Sequence, residues 1–205
     1  DRDGDMWFGT QGGLSVLHSG EWINIPTLEG YNFDVYSLLK DSRDNMWMGT
    51  DVLGLIKYDN SQSWQYFDSE CMECNTVNVI LEEGDVNLWY GSNADLQKLS
   101  AGGYITSYTT ADGLPHGPVH ALHQDLFGNI WVGTYGGEFV AKYTGNTFKA
   151  VSLCNAFNTN YTTSISSDKL GNIWFGLIGG GRVEYTWPLM KTYMDIDGNQ
   201  VLSVM

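Results

Sequence analysis

Apolar and polar positions alternate along this chain in short runs, separated by glycine, asparagine, aspartate and serine. Residues 119–151 show the pattern most clearly. "VHALHQ" leads through "DLFGN" into "IWVGT"; the turn "YGG" leads to "EFVAKY", and "TGN" leads to "TFKAV". A period of two bounded by turn residues predicts four strands joined by tight hairpins. The Val, Ile, Phe, Tyr and Trp content of the runs suits a pleated, packed surface. No stretch carries a helical period.

The same four-strand sentence is written repeatedly. Trp-x-Gly units start at Trp7, Trp47, Trp89, Trp131 and Trp174, spaced 40, 42, 42 and 43 residues apart. Six residues before each Trp stands an acid: Asp1, Asp41, Glu83, Asp125 and Asp168. Four antiparallel strands recurring about every 42 residues predict the blades of a β-propeller. The repeats fall near 1–40, 41–82, 83–124, 125–167 and 168–205, within a single domain over 1–205.

The first unit lacks an innermost strand, and the C-terminal "QVLSVM" matches "VYSLLK", "VNVILE" and "VHALHQ". Joining the ends gives a wrap-around Trp spacing of 38 residues. The predicted fold is therefore all-β: a five-bladed propeller whose last strand closes the ring, against the competing reading of five blades cut from a longer array. In this reading the Trp fills the wedge between adjacent sheets, the glycine permits close approach, and the acidic residue caps the turn N–H groups.

Composition narrows the function. Ten basic against 24 acidic residues leave a net charge of −14, a field that repels nucleic-acid backbones and anionic membranes. No apolar run reaches the length of a membrane span, so neither nucleic acid nor membrane insertion is expected. At 205 residues the chain buries roughly 70% of its unfolded surface, enough to fold without metal or disulfide. "DRDGDMWFG" has neither initiator methionine nor signal-peptide pattern and reads as the start of an excised or processed segment.

"DLFGNIWVGTYGG", "DKLGNIWFG" and the connector "YTTADGLPHGPVHAL" resemble the two-component regulator propeller repeat. The resemblance implies a sensor-type propeller outside the cytoplasm, periplasmic or secreted, that meets a carbohydrate or other ligand. Those sensors carry many more blades than five. The glycine–tryptophan blades also resemble the streptogramin lyases, which use histidine and glutamate for elimination. Here "PVHALHQD" offers His120 and His123, but the next blade has no comparable histidine.

Ligands of repeat scaffolds meet the variable loops. The inter-blade connectors supply Tyr31, Phe33, His116, Phe157, Asn158, Asn160 and Tyr161; the loops between second and third strands supply Gln11, Asp51, Asn93 and Tyr135. Aromatic faces beside amides suit a sugar, whose C–H faces stack and whose hydroxyls need partners. The expected ligand-binding set is Tyr31, Phe33, Asp51, Asn93, His116, Tyr135, Phe157, Asn158 and Tyr161. Trp22, Trp64, Tyr104 and Phe148 recur on outer strands and read as packing.

Strict alternation puts His120 on a face with Leu122, and His123 with Ala121 and Val119, where it faces the channel or is a satisfied structural histidine. Cys71 and Cys74 form "CMEC"; with His116 and Cys154 they could converge on zinc, whereas a Cys71–Cys74 disulfide leaving Cys154 free is simpler. "DRDGD" and "DIDGN" echo calcium loops, but "DRDGD" occupies a place that other blades fill with an ordinary turn. No metal, cofactor or catalytic residue is expected. The sequence reading is non-enzymatic recognition of a saccharide or other small ligand. The alternatives are a lyase or hydrolase using His116, His120 or His123 with connector carboxylates, and a protein-interaction scaffold.

Overall fold

The computed structural model describes residues 4–25, 33–59, 63–67, 72–84, 87–137, 139–153, 161–178, 181–186 and 189–193. These form five antiparallel sheets. The first holds β1 (Met6–Thr10), β2 (Gly13–His18) and β3 (Glu21–Ile25). The second holds β4 (Val35–Lys40), β5 (Met46–Thr50), β6 (Leu55–Tyr58) and β7 (Trp64–Phe67). The third holds β8 (Val77–Glu83), β9 (Asn87–Ser92), β10 (Leu96–Leu99) and β11 (Ile105–Tyr108). The fourth holds β12 (Val119–Gln124), β13 (Ile130–Thr134), β14 (Val140–Tyr143) and β15 (Phe148–Val151); the fifth holds β16 (Thr162–Ser167), β17 (Ile173–Leu177), β18 (Gly181–Thr186) and β19 (Leu189–Tyr193). Each sheet is an up-and-down meander in chain order, so each is a propeller-type blade. The strand that the sequence predicts for residues 200–205 lies outside the described residues.

The chain divides into two compact units, residues 1–93 with 98–105 and residues 94–97 with 106–205. In the first, Trp47 joins Val77, Leu88, Tyr90 and Leu99 of the next sheet, and Trp7 meets Tyr58 at 6.0 Å. In the second, fully buried Trp131 lies 5.6 Å from Phe175 and 5.2 Å from Tyr185. The indole is thus the wedge between neighbouring sheets. By buried area each is worth about 4–6 kcal/mol before entropy is charged against it.

The acid before each Trp does more than cap its turn. Asp125 Oδ1 accepts from the backbone N–H of Phe127 and Asn129, while Oδ2 accepts from Trp131 Nε1 at 2.9 Å. Asp41 and Asp168 repeat the arrangement with Trp47 at 2.8 Å and Trp174 at 3.3 Å. Partial burial opposes ionisation of Asp41 and Asp125, but these hydrogen bonds outweigh it and hold both carboxyls below their ordinary pKa. The fourth turn residue has positive φ in Gly4, Gly128 and Gly171, and Asp44 fills the same slot at 65°. A lysine on the third strand covers the indole: Lys57, Lys98 and Lys142 stand over Trp47, Trp89 and Trp131.

The Trp-x-Gly glycine is required by the neighbouring blade. A Cβ on Gly9 would lie 2.6 Å from Val35 Cγ1, one on Gly49 would lie 2.5 Å from the Val77 carbonyl, and one on Gly133 would lie 2.5 Å from Thr162 Cγ2. In each pair the next blade's first strand enters the space of the missing side chain.

Candidate functional site

The site residues are set by a bulge that period-two reading misses. In the four described innermost strands the register shifts at Val35/Ser37, Val77/Val79, Val119/Ala121 and Thr162/Ser164. A bulge releases one side chain from the pleat and re-aims it. The released residues are Tyr36, Asn78, His120 and Thr163. The alternation that paired His120 with Leu122 therefore fails: Leu122 is buried, whereas the His120 ring is exposed and lies 5.7 Å from Tyr135.

Around this bulge the second unit gathers three of the predicted residues. Tyr135 and Tyr161 stack with ring centroids 4.3 Å apart and planes within 5°. Tyr135 is 44% exposed and Tyr161 half-buried, so the pair presents an aromatic surface to solvent. His116 is exposed on the connector that holds Tyr135. Although part of the His120 ring meets solvent, neighbouring protein removes enough water from it to push its pKa down.

The backbone positions these groups. Tyr135 N–H donates to the Pro118 carbonyl at 2.8 Å, and Ile178 N–H donates to the Tyr161 carbonyl at 3.0 Å. Gly117 has φ +100°, and a Cβ there would lie 2.2 Å from the Tyr135 carbonyl oxygen, so only glycine lets the connector approach the loop. Gly136 has φ +108°, which glycine adopts without strain, and the Tyr161 ring lies in ordinary contact beside it. Upstream, the connector is fixed by a short 3-10 turn, Thr110–Asp112, closed by a capping box from Thr109 and ended by Gly113.

In the first unit the equivalent loop residues have structural partners. Asp51 accepts from Asp34 N–H at 2.9 Å, and its carbonyl accepts from Thr76 Oγ1 at 2.8 Å. Asn93, exposed, accepts from the released Asn78 side chain at 3.1 Å. Phe33 leaves the candidate surface: it is 3% exposed, in a core cluster with Leu14, Met48 and Ile56, because an apolar ring beside the first strand gains more from the sheet interior than from solvent. Tyr31, Phe157, Asn158 and Asn160 lie outside the described residues.

The remaining histidines and cysteines have other surroundings. His123 pairs opposite Trp131, a place held by Leu39 and Leu81 in other blades. Its Nε2 is buried with no hydrogen-bond partner among the described residues, and desolvation pushes its pKa down against the pull of Asp125. Cys74 is disulfide-bonded, so its sulfur is no thiolate ligand; Cys71 and Cys154 lie outside the described residues. No group of three or more His, Cys, Asp or Glu able to hold a metal ion occurs among the described residues. Of the outer-strand aromatics, Trp64 packs on Tyr58 at 4.7 Å and Phe148 on Tyr143 at 4.9 Å. Trp22, 63% exposed, meets Phe8 at 5.0 Å, whereas Tyr104, 78% exposed, stands in the turn just before β11.

Residues 30–52 and 113–136 match the family described as two component regulator propeller. Two segments of the chain thus match the two-component regulator propeller repeat. The second match runs from Gly113 to Gly136 and so contains the connector, the bulge and Tyr135. Among solved structures, the repeat-bearing chain is similar to the extracellular domain of the hybrid two component system BT3049 from B. thetaiotaomicron, at 26% identity and TM-score 0.74, covering 94% of this chain and 27% of that one. It is similar also to the extracellular domain of BT4673 from the same organism, at 22% identity and TM-score 0.80, covering 96% and 27%. Virginiamycin B lyase from Staphylococcus aureus shares the fold at 12% identity and TM-score 0.78, covering 96% and 68%. The chain spans about a quarter of the length of the two sensor structures. No curated protein matches it.

Proposed function

We propose that this propeller is a ligand-recognition module of a sensor, working outside the cytoplasm, and that it binds a saccharide or other small ligand on the rim formed by His116, His120, Tyr135 and Tyr161. The observation that carries the reading is the solvent-facing Tyr135–Tyr161 stack beside the released His120 ring. Aromatic planes take the C–H face of a sugar, and the imidazole and phenol groups offer donors and acceptors to its hydroxyls. Phe157 and Asn158, in the same unit, are further candidates for contact. The extracytoplasmic assignment draws on the Cys74 disulfide, a bond that persists in oxidising compartments, and on the extracellular origin of the sensor structures.

A thermal-shift screen against mono- and oligosaccharides tests the reading. A ligand that binds only the folded state, at a hundred times its dissociation constant, adds about 2.7 kcal/mol of stability. The expected result is a saccharide hit lost in Tyr161→Ala. A panel without a hit, or a hit indifferent to Tyr161→Ala and Tyr135→Ala, overturns the site.

For the fold, we propose that "QVLSVM" supplies the fourth strand of the first sheet, which has three strands among the described residues while the other sheets have four. The support is its likeness to the other innermost strands.

A further inference from the structure

The first unit contains a cleft of about 180 Å³ between the second and third blades, remote in sequence from the aromatic rim. Its walls combine Arg43, Lys57, Gln65 and Asn87 with the rings of Trp47 and Phe67. The cleft is large enough to admit one small ring.

The two cations distinguish this place from its counterparts. Trp47, Lys57 and Gln65 form a row across β5, β6 and β7, one residue per strand. The lysine of that row is ion-paired in two other blades, Lys98 with Glu83 and Lys142 with Asp125. Lys57 forms no ion pair among the described residues and only stands 5.7 Å over the Trp47 ring. Arg43, exposed in the β4–β5 turn, likewise has no carboxylate partner among them; the equivalent turn position in the fourth blade is Phe127.

The carboxylates in the cleft are already committed as acceptors. Asp41 takes N–H groups from Arg43, Asn45 and Trp47. Glu82 takes the backbone N–H and hydroxyl of Ser42 across the blade boundary. On a chain of net charge −14, two uncommitted cations beside two amides and two aromatic rings make a local exception.

We infer that this inter-blade cleft binds a small hydroxylated carboxylate, of the size of one sugar ring and of the uronic-acid class. Arg43 and Lys57 donate to the carboxylate, Gln65 and the Asn87 side-chain oxygen meet hydroxyls, the Asn87 N–H being given to Glu83 at 3.2 Å, and the half-buried Phe67 ring takes the apolar face.

The test is a calorimetric and NMR titration of the protein with glucuronate, with glucose and sulfate as comparison arms. Glucuronate is expected to bind saturably and more weakly as ionic strength rises, sulfate to compete with it, and glucose to leave the cleft resonances unmoved. Arg43→Gln and Lys57→Gln should each weaken glucuronate about tenfold, the size of one lost charge-assisted hydrogen bond. Tyr161→Ala should leave this binding intact, which separates the cleft from the rim. Equal binding of glucose and glucuronate, no binding of either anion, or unchanged affinity in the double variant overturns the assignment. Insensitivity of wild-type binding to salt overturns it without any variant.

Discussion

One carboxylate accounts for much of a blade's local order. Asp125 accepts hydrogen bonds from two backbone N–H groups, the Asn129 amide and the Trp131 indole, and Lys142 stands 3.5 Å away. Asp125→Asn turns one acceptor oxygen into a donor facing N–H groups, so it should cost about 1–3 kcal/mol in urea unfolding. The same bonds hold the pKa values of Asp41, Asp125 and Asp168 below the unfolded value. Groups depressed in this way contribute their stability above the ordinary carboxylate pKa of about 3.9 and lose it as pH falls through the folded value. Unfolding midpoints should therefore fall steeply below about pH 4, and less steeply in Asp125→Asn. The acid-to-tryptophan spacing was legible because it lies within one turn. The indole bond is a property of folded geometry.

Between elements, the Trp-x-Gly glycine is the contact to test. Gly133→Ala drives a Cβ against the Thr162 side chain, and Gly49→Ala drives one against the Val77 carbonyl. Each should cost about 1–3 kcal/mol as overpacking. Thr162→Gly should partly relieve the first in a double-mutant cycle, because its obstacle is a side chain. Val77→Gly should give less relief of the second, because backbone remains in the way. Urea unfolding of the single and double variants measures both. Strand positions and turns were legible from alternation and turn residues, as at "GNIWVGT", but the bulges at His120 and its equivalents were not. A bulge adds one residue opposite a partner strand, and the partner is unknown until the strands pair.

At the scale of the whole molecule, one covalent link and one proposed strand can be probed. Reducing the Cys74 disulfide should lower the melting temperature, with about 2–4 kcal/mol lost; calorimetry with and without reductant measures it. The proposed fourth strand of the first sheet predicts that deleting residues 201–205 destabilises β1–β3 selectively. Hydrogen exchange there should accelerate, while exchange in β16–β18 holds.

The sequence by itself determined the blade: its four strands, its turns, the tryptophan beat and the acid that precedes it. These follow from short-range periodicity and from residues a few positions apart, where chain connectivity limits the choices. Tertiary structure alone decided which variable residues meet. It drew Tyr135 and Tyr161 into a stack, re-aimed His120 beside them, moved Phe33 inward and left Arg43 and Lys57 facing a cleft. Those outcomes depend on register and on the approach of neighbouring sheets, which are contacts between residues distant in sequence.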